Sequence, residues 1–275
     1  FEKIFGRKIL VNISDLWPLS AVELGAMCEG GKIYNIFAWI ERYIYRNADG
    51  IFGQSEEIIR HVNQFPSTKN KFVYRNLQQY AVAAQLKRKH TPFRIVYAGL
   101  LGVAQDIYSI IENIPFKSIG AEFHLYGGGN QAEKIKEYIN KHPDCFVYYH
   151  GYVKKEQIAK MDGIELVQKM QSLEHIPLTV AIRGAVPSKI YDLIPIGIPI
   201  LYCGGGEGAK IVSKYYLGMV SQPHDFKQLH SNIIKLINLP DEEYRTISKN
   251  CLNAAKNEFD FSRQIYRCYD FIKSV

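Results

Sequence analysis

Three glycine clusters mark where this chain of 275 residues could hold a charged ligand. They are Gly99-Leu-Leu-Gly102, Gly127-Gly128-Gly129 and Gly204-Gly205-Gly206-Glu207-Gly208, and each follows a short apolar, β-rich run. Glycine lets the backbone approach a phosphate closely, and the helix that begins after it attracts negative charge. Tight strand-to-helix turns need glycine too, so one cluster alone says little. Three at comparable places point to a phosphate or nucleotide ligand. None matches the GxxxxGK[ST] pattern, and none gives GxGxxG with an acidic residue at the expected distance. The five cysteines form no CxxC pair, the eight histidines show no ligand spacing, and no Asp-x-Asp occurs. A disulfide framework, a zinc site and a catalytic divalent metal are therefore not expected.

The formal charge is +7, and it is unevenly placed. From Ile58 to Gln105 there is no Asp or Glu, while Arg60, Lys69, Lys71, Arg75, Lys87, Arg88, Lys89 and Arg94 all fall there. Such a segment is either a solvated loop or the seat of an anionic partner: a phosphate ligand, a membrane surface or a nucleic acid. No nucleic-acid motif accompanies it, so nucleic acid is set aside. Lys87-Arg88-Lys89 is expected to touch an anionic bilayer.

The elements that must position these residues alternate. Phe93–Ala98, Glu122–Tyr126, Cys145–Tyr149, Leu173–Leu178, Ile198–Tyr202 and Leu217–Ser221 read as strands, each followed by a helical pattern. That alternation predicts right-handed βαβ units and one parallel sheet, with ligands above its carboxyl edge. The first part differs. Lys8–Asp15 and Gly50–Gln54 read as strands around a helix over Tyr34–Asn47, whose Phe37, Ile40 and Ile44 fall on one face and read as core. Only two strands precede Asn76, which suggests the tail of a domain whose beginning is absent. The expected division is a partial N-terminal domain over 1–75, a complete Rossmann-type domain over 76–258, and a C-terminal helix over 259–275 that crosses back. At 47% hydrophobic and 22% charged, the chain can bury a core, and no apolar run is long enough to span a bilayer.

Several segments, in order, resemble the nucleotide-sugar glycosyltransferases of the GT-B fold, family four. They are Ser14-Asp-Leu-Trp-Pro-Leu-Ser20, Glu41–Ala48, Gly50–Ser55, Tyr74–Leu77, Tyr97–Gly102, Phe123–Gly128, Tyr149–Tyr152, Val186–Asp192 and Gly197–Gly208. The likeness is strongest to bacterial surface-polysaccharide enzymes that add N-acetylated amino sugars. It implies an α/β protein of two facing Rossmann-like domains. By this comparison the opening strands of the first domain are missing here.

The resemblance also assigns roles. Asp192 stands where the family has a glutamate that binds the ribose hydroxyls; an ionised carboxylate can accept from two of them. The family's companion glutamate is Gly184 here. Ser188 and Lys189 share the same motif, and Lys189 either neutralises the diphosphate or pairs with Asp192 on one helical face. Gly99 and Gly102 match the turn that faces the diphosphate, where Val103 replaces a frequent cation. Tyr152 and Val153 match the loop near the base. Gly205, Gly206 and Glu207 match a second donor loop, Glu207 being either a sugar-hydroxyl ligand or an acid suited to a helix's first turn. Asp15 is the candidate cleft carboxylate, or else a turn or cap residue.

The expected activity is transfer of a hexosyl or N-acetylhexosaminyl group from a sugar nucleotide, a UDP-sugar, to a glycan or lipid-linked acceptor, with retention of configuration and no cofactor. The expected place is the cytoplasm, at the inner face of the membrane, in capsule or O-antigen synthesis. The alternatives are a sugar-nucleotide epimerase of the same fold and a non-catalytic nucleotide-binding module.

Overall fold

The computed structural model describes residues 6–23, 26–79, 91–103, 105–151, 176–180 and 186–275. Tyr152, Val153, Gly184, Lys87, Arg88, Lys89 and the expected helix over Lys154–Met170 lie outside them.

Two parallel sheets are present. The larger is built of β4 (Phe93–Ala98), β5 (Ala121–Tyr126), β6 (Val147–Tyr149), β7 (Ile176–Val180), β8 (Ile200–Cys203) and β9 (Gly218–Ser221), in the order β6-β5-β4-β7-β8-β9. All five pairings are parallel. The six expected strands thus lie in one sheet, with shifted ends. β6 starts at Val147, because Phe146 has a left-handed backbone (φ 58°) that ends any extended run. β7 begins at Ile176, and residues 173–175 lie outside the described set.

Helices cover the large sheet because their apolar residues recur at helical spacing. Ile107, Ile110 and Ile111 of α4 (Ile107–Asn113) and Ala132 and Ile135 of α5 (Ala132–Lys141) share one core with Ile95, Tyr97, Phe123 and Leu125. After α6 (Lys189–Leu193) and α7 (Gly206–Lys214), α8 (Phe226–Asn238) adds Leu229, Ile233 and Leu236 to that core. The Asp225 side chain caps α8 by accepting the Gln228 N–H at 2.9 Å. α9 (Asp241–Asn257) follows Pro240 and opens on Asp241, Glu242 and Glu243, which suit a helix N-terminus.

The smaller sheet has order β1-β2-β3, from β1 (Leu10–Ile13), β2 (Gly50–Gly53) and β3 (Lys71–Val73), all parallel, with the short helix α1 (Leu19–Glu23) following β1. Three strands precede Asn76, not the expected two. β3 is only three residues long, too short to show an alternating pattern. On one face of this sheet, Ile13 and Ile51 pack with Tyr45 and Ala48 at the end of α2 (Lys32–Asn47) and with Ile58 and Val62 of α3 (Glu56–Val62). On the other, Phe271 of α10 (Phe261–Ser274) meets Phe52 and Phe72, with ring centroids 5.1 and 5.4 Å away.

The expected core stripe of α2 is corrected. Ile40 and Ile44 are exposed and Phe37 is half-buried, while Ala38, Glu41 and Tyr45 face inward. The inward face is held by polar bonds: the Glu41 carboxylate accepts from the Tyr45 hydroxyl and meets His61 Nε2, each at 2.8 Å. Helical periodicity shows which residues share a face, not which face turns inward.

Candidate functional site

The large sheet runs from β4 outward through β5 to β6, then returns to the other side of β4 for β7. In open α/β sheets such a reversal leaves a crevice at the carboxyl edge, and ligands bind there. Gly99 ends β4, and Lys189 opens the helix that follows β7. The two meet: a Cβ at position 99 would collide with the Lys189 ammonium. Glycine is therefore required if the lysine is to lie across the turn.

Lys189 is largely buried, and burial lowers its pKa from 10.5 to about 8, an effect that nearby Asp192 partly offsets. The ammonium lies 4.4 Å from the centre of the Tyr97 ring and donates to the Tyr97 hydroxyl at 3.3 Å. That hydroxyl donates onward to the Leu100 carbonyl at 2.7 Å. Among the described residues, no carboxylate forms an ion pair with Lys189. Asp192, in the same short helix, acts on the ammonium through its charge. A buried cation in that state is well prepared for an anion.

A row of glycines continues from the lysine. The Gly99 N–H donates to the Tyr126 carbonyl at 2.8 Å, and the Gly127 N–H donates to the Gly151 carbonyl at 2.8 Å. Gly99, Gly127 and Gly151 thus lie side by side at the ends of β4, β5 and β6. Gly127 is needed twice over: its φ is 137°, and a Cβ there would strike the Gly99 backbone. Gly102 accepts the N–H of Gln105 at 3.2 Å, closing the turn before α4. Below Gly151, the rings of Tyr126, His150, His124 and Tyr148 stack, with successive centroids 4.4, 5.2 and 4.9 Å apart. His124 Nε2 meets Glu122 at 3.1 Å, and Glu122 accepts from Arg94 at 2.7 Å.

The second glycine loop lies at the end of β8. Gly205 is the N-cap of α7, Gly206 has φ 68°, and no atom stands within 4 Å of a Cβ built on Gly205. Glu207 follows, buried in the first turn of α7. Its Oε1 accepts from Arg75 at 3.1 Å, and its Oε2 accepts the backbone N–H of Glu57, in the first turn of α3, at 3.0 Å. One carboxylate thus serves the N-termini of two helices and ties the two sheets together. Both oxygens are engaged, which favours the reading of Glu207 as a helix-terminus acid.

Of the other expected residues, Ser188 is the N-cap of α6 and makes no side-chain capping bond, and Asp192 lies in the same short helix as Lys189. Asp15 is exposed just past the carboxyl end of β1, where the neighbouring Ser14 hydroxyl accepts from Gln54 at 3.1 Å. The structure groups Gly99, Gly102, Ser188, Lys189 and Asp192 around the β4–β7 crevice, with Gly205 and Gly206 at the adjoining strand end. Asp15 belongs to the small sheet.

Three participants were not singled out from the sequence. Tyr97 is a tyrosine inside a buried strand, and its hydroxyl needed a partner; that was the available signal. Arg75 lies in the acid-free segment, for which the sequence offers a solvated loop or an anionic partner and no internal carboxylate. Arg75 instead pairs with Glu207, and Arg94 with Glu122, both from other elements. Gln264 of α10 holds the Arg75 backbone on both sides, accepting its N–H at 3.0 Å and donating to its carbonyl at 2.8 Å. Nothing local in the sequence announces that contact.

No protein-family model matches the chain, and no curated protein sequence matches it. Solved structures do. A TarM variant from S. aureus, in complex with fondaparinux, α-GlcNAc-glycerol and UDP, superposes with TM-score 0.66 at 16% identity, covering 89% of this chain and 48% of its own. Anabaena HepE in complex with UDP gives 0.75 at 13% identity, over 100% of this chain and 74% of its own. The pneumococcal O-GlcNAc transferase GtfA, with UDP and GlcNAc, gives 0.68 at 13%, over 97% and 52%. The chain spans about half the length of TarM. At these identities the likeness is one of fold: an α/β architecture of parallel, Rossmann-like units in the GT-B arrangement.

Proposed function

We propose that this chain carries the donor side of a glycosyltransferase that moves a hexosyl or N-acetylhexosaminyl group from a UDP-sugar to a glycan or lipid-linked acceptor. The observation that carries the reading is the Lys189 ammonium, buried against Gly99 at the sheet's switch point. That arrangement suits a diphosphate. The three structural neighbours described above each hold UDP, which supports the same ligand.

In this reading Lys189 and the Gly99–Gly102 turn receive the diphosphate, and Asp192 accepts from the ribose hydroxyls. By the resemblance, Tyr152 and Val153 belong to the loop that serves the base. As the sugar–phosphate bond breaks, negative charge grows on the leaving diphosphate. A fixed cation that offsets that charge stabilises the transition state more than the ground state. Gly205 and Gly206 leave open backbone beside the donor, and Asp15 faces the acceptor side. Retention at the anomeric carbon, family-four membership, and a role in surface polysaccharide synthesis at the inner face of the membrane belong to the same proposal.

A thermal-shift panel of UDP-, GDP- and ADP-sugars tests it. A ligand at 100-fold excess over its Kd adds about 2.7 kcal/mol of stability. UDP-sugars should raise the melting temperature of the wild type and should fail with Lys189→Ala and Asp192→Ala. No shift with any sugar nucleotide would remove the donor-site reading. Donor consumed without an acceptor would favour the epimerase.

A further inference from the structure

The role of Tyr97 follows from where its one hydroxyl proton goes. The side chain is buried, and burial raises its pKa, so the phenol keeps that proton at ordinary pH. The proton is spent on the Leu100 carbonyl, 2.7 Å away. What the oxygen shows to Lys189 is therefore lone-pair density, and it accepts from the ammonium at 3.3 Å. The ring adds its negative face, with its centre 4.4 Å from the same ammonium. A buried phenol needs one partner, and the Leu100 carbonyl suffices. The bond to the cation is additional.

That second bond does what the lysine cannot do for itself. An ammonium on a four-carbon stem is mobile unless its protons are engaged. Tyr97 takes one of the three. It also gives the cation a direction. An oxygen that presents lone pairs repels an anion, so an anion meets the ammonium from the other side, over the Gly99–Gly102 turn. The same hydroxyl holds that turn. The Leu100 carbonyl is bound to Tyr97, and the N–H of the same peptide, on Leu101, donates to the Gly128 carbonyl at 2.9 Å. One peptide of the turn is thus fixed at both ends. Among the described residues around this ammonium, the ionisable groups are Tyr97 on β4 and Asp192 on its own helix. β7 and the Gly99–Gly102 turn carry none.

We infer that Tyr97 is a positioning residue of the anion site, its hydroxyl locking the Lys189 ammonium and the Gly99–Gly102 turn to one oxygen so that both face the same anion. The inference rests on the donor-site reading for the identity of that anion, and on the geometry alone for the lock.

The first measurement needs no ligand. In protein labelled with ¹³C and ¹⁵N at lysine, the Lys189 signal is assigned by its loss in Lys189→Met and followed from pH 6 to pH 10. In the wild type, the ring should displace the terminal methylene protons of Lys189 upfield. Tyr97→Phe keeps the ring and removes the oxygen. It should keep the displacement and release the Lys189 proton about threefold more readily, because the charged form has lost an acceptor. The second measurement is calorimetry with UDP at pH 8. Tyr97→Phe should weaken binding about fivefold in the wild type and less than twofold in Lys189→Met, since residues acting through one contact are not additive. A Lys189 titration unchanged by Tyr97→Phe overturns the lock. So does an equal loss of UDP affinity in both backgrounds, which is what holding the turn alone would give. Should Tyr97→Phe misfold, the wild-type methylene decides: displaced, it upholds the lock, and undisplaced, it overturns it. If UDP binds no form of the protein, the donor reading falls, and the titration by itself upholds or overturns the lock.

Discussion

At the scale of single residues, Lys189 is a cation held at a cost, and the cost has a definite pH course. Its pKa is about 8 in the folded chain against 10.5 for an ordinary lysine. The folded state therefore binds this proton less tightly than the unfolded chain does. The group opposes folding below pH 8, and that penalty fades as pH rises from 8 towards 10.5. A bound diphosphate reverses the preference, since it favours the charged form. Affinity for UDP should hold below pH 8 and fall as pH climbs through that value. Calorimetry at pH 7 and pH 9.5 should show a loss of about tenfold, or ~1.4 kcal/mol. Lys189→Met should bind UDP at least tenfold more weakly with no slope across that range. It should also melt higher than the wild type at pH 7 without ligand, with a gain of up to about 3 kcal/mol from the relieved desolvation. A variant that keeps the wild-type affinity and slope would show that the lysine does not touch the anion. The two buried cysteines provide a contrast. Burial pushes Cys203 up to about 11 and Cys251 up to about 12, so both are packing residues and not nucleophiles.

At the scale of elements, the junction between the sheets depends on Glu207. Its buried carboxylate holds the partly buried Arg75 guanidinium and the first turn of α3. Removing one partner of such a pair leaves the other uncompensated, at about 3 kcal/mol. Glu207→Ala should lower stability by about that amount in urea titrations. Glu207→Gln should cost less, because an amide oxygen can still accept the Glu57 N–H. If both variants unfold at the wild-type urea midpoint, the contact is not part of the stable fold. This junction also marks the limit of what the sequence shows. The strands of the large sheet and the glycines at their ends are legible, because period-two apolar runs and strand-to-helix turns are local signals. Glu207 fits a helix start on local grounds, yet its partners lie 150 and 132 positions away. No spacing rule could supply them. Likewise β3, with three residues, offers too little pattern, and the amphipathic face of α2 was visible while its outward direction was not.

At the scale of the whole molecule, the small sheet depends on an element from the far end of the chain. Three short strands with two helices on one face bury little on their own, and a sheet of this size needs both faces covered when its strands are parallel. The second face is covered by α10, where Phe271 stacks on Phe72 and meets Phe52 edge-on, while Gln264 grips the Arg75 backbone. The wild type should therefore unfold in one cooperative calorimetric transition, the small sheet melting when the large unit releases α10. Phe271→Ala weakens only this docking, at about 2 kcal/mol for a half-buried aromatic, below the 3–5 typical of fully buried ones. It should split the transition, with an earlier step of low enthalpy for the small sheet and a later one for the large unit. UDP should then move only the later step, since Lys189, Asp192 and the glycine row all belong to the large sheet. A single transition in Phe271→Ala, raised as a whole by UDP, would show that the small sheet is coupled to the proposed donor site through Glu207 and Arg75 and not through α10.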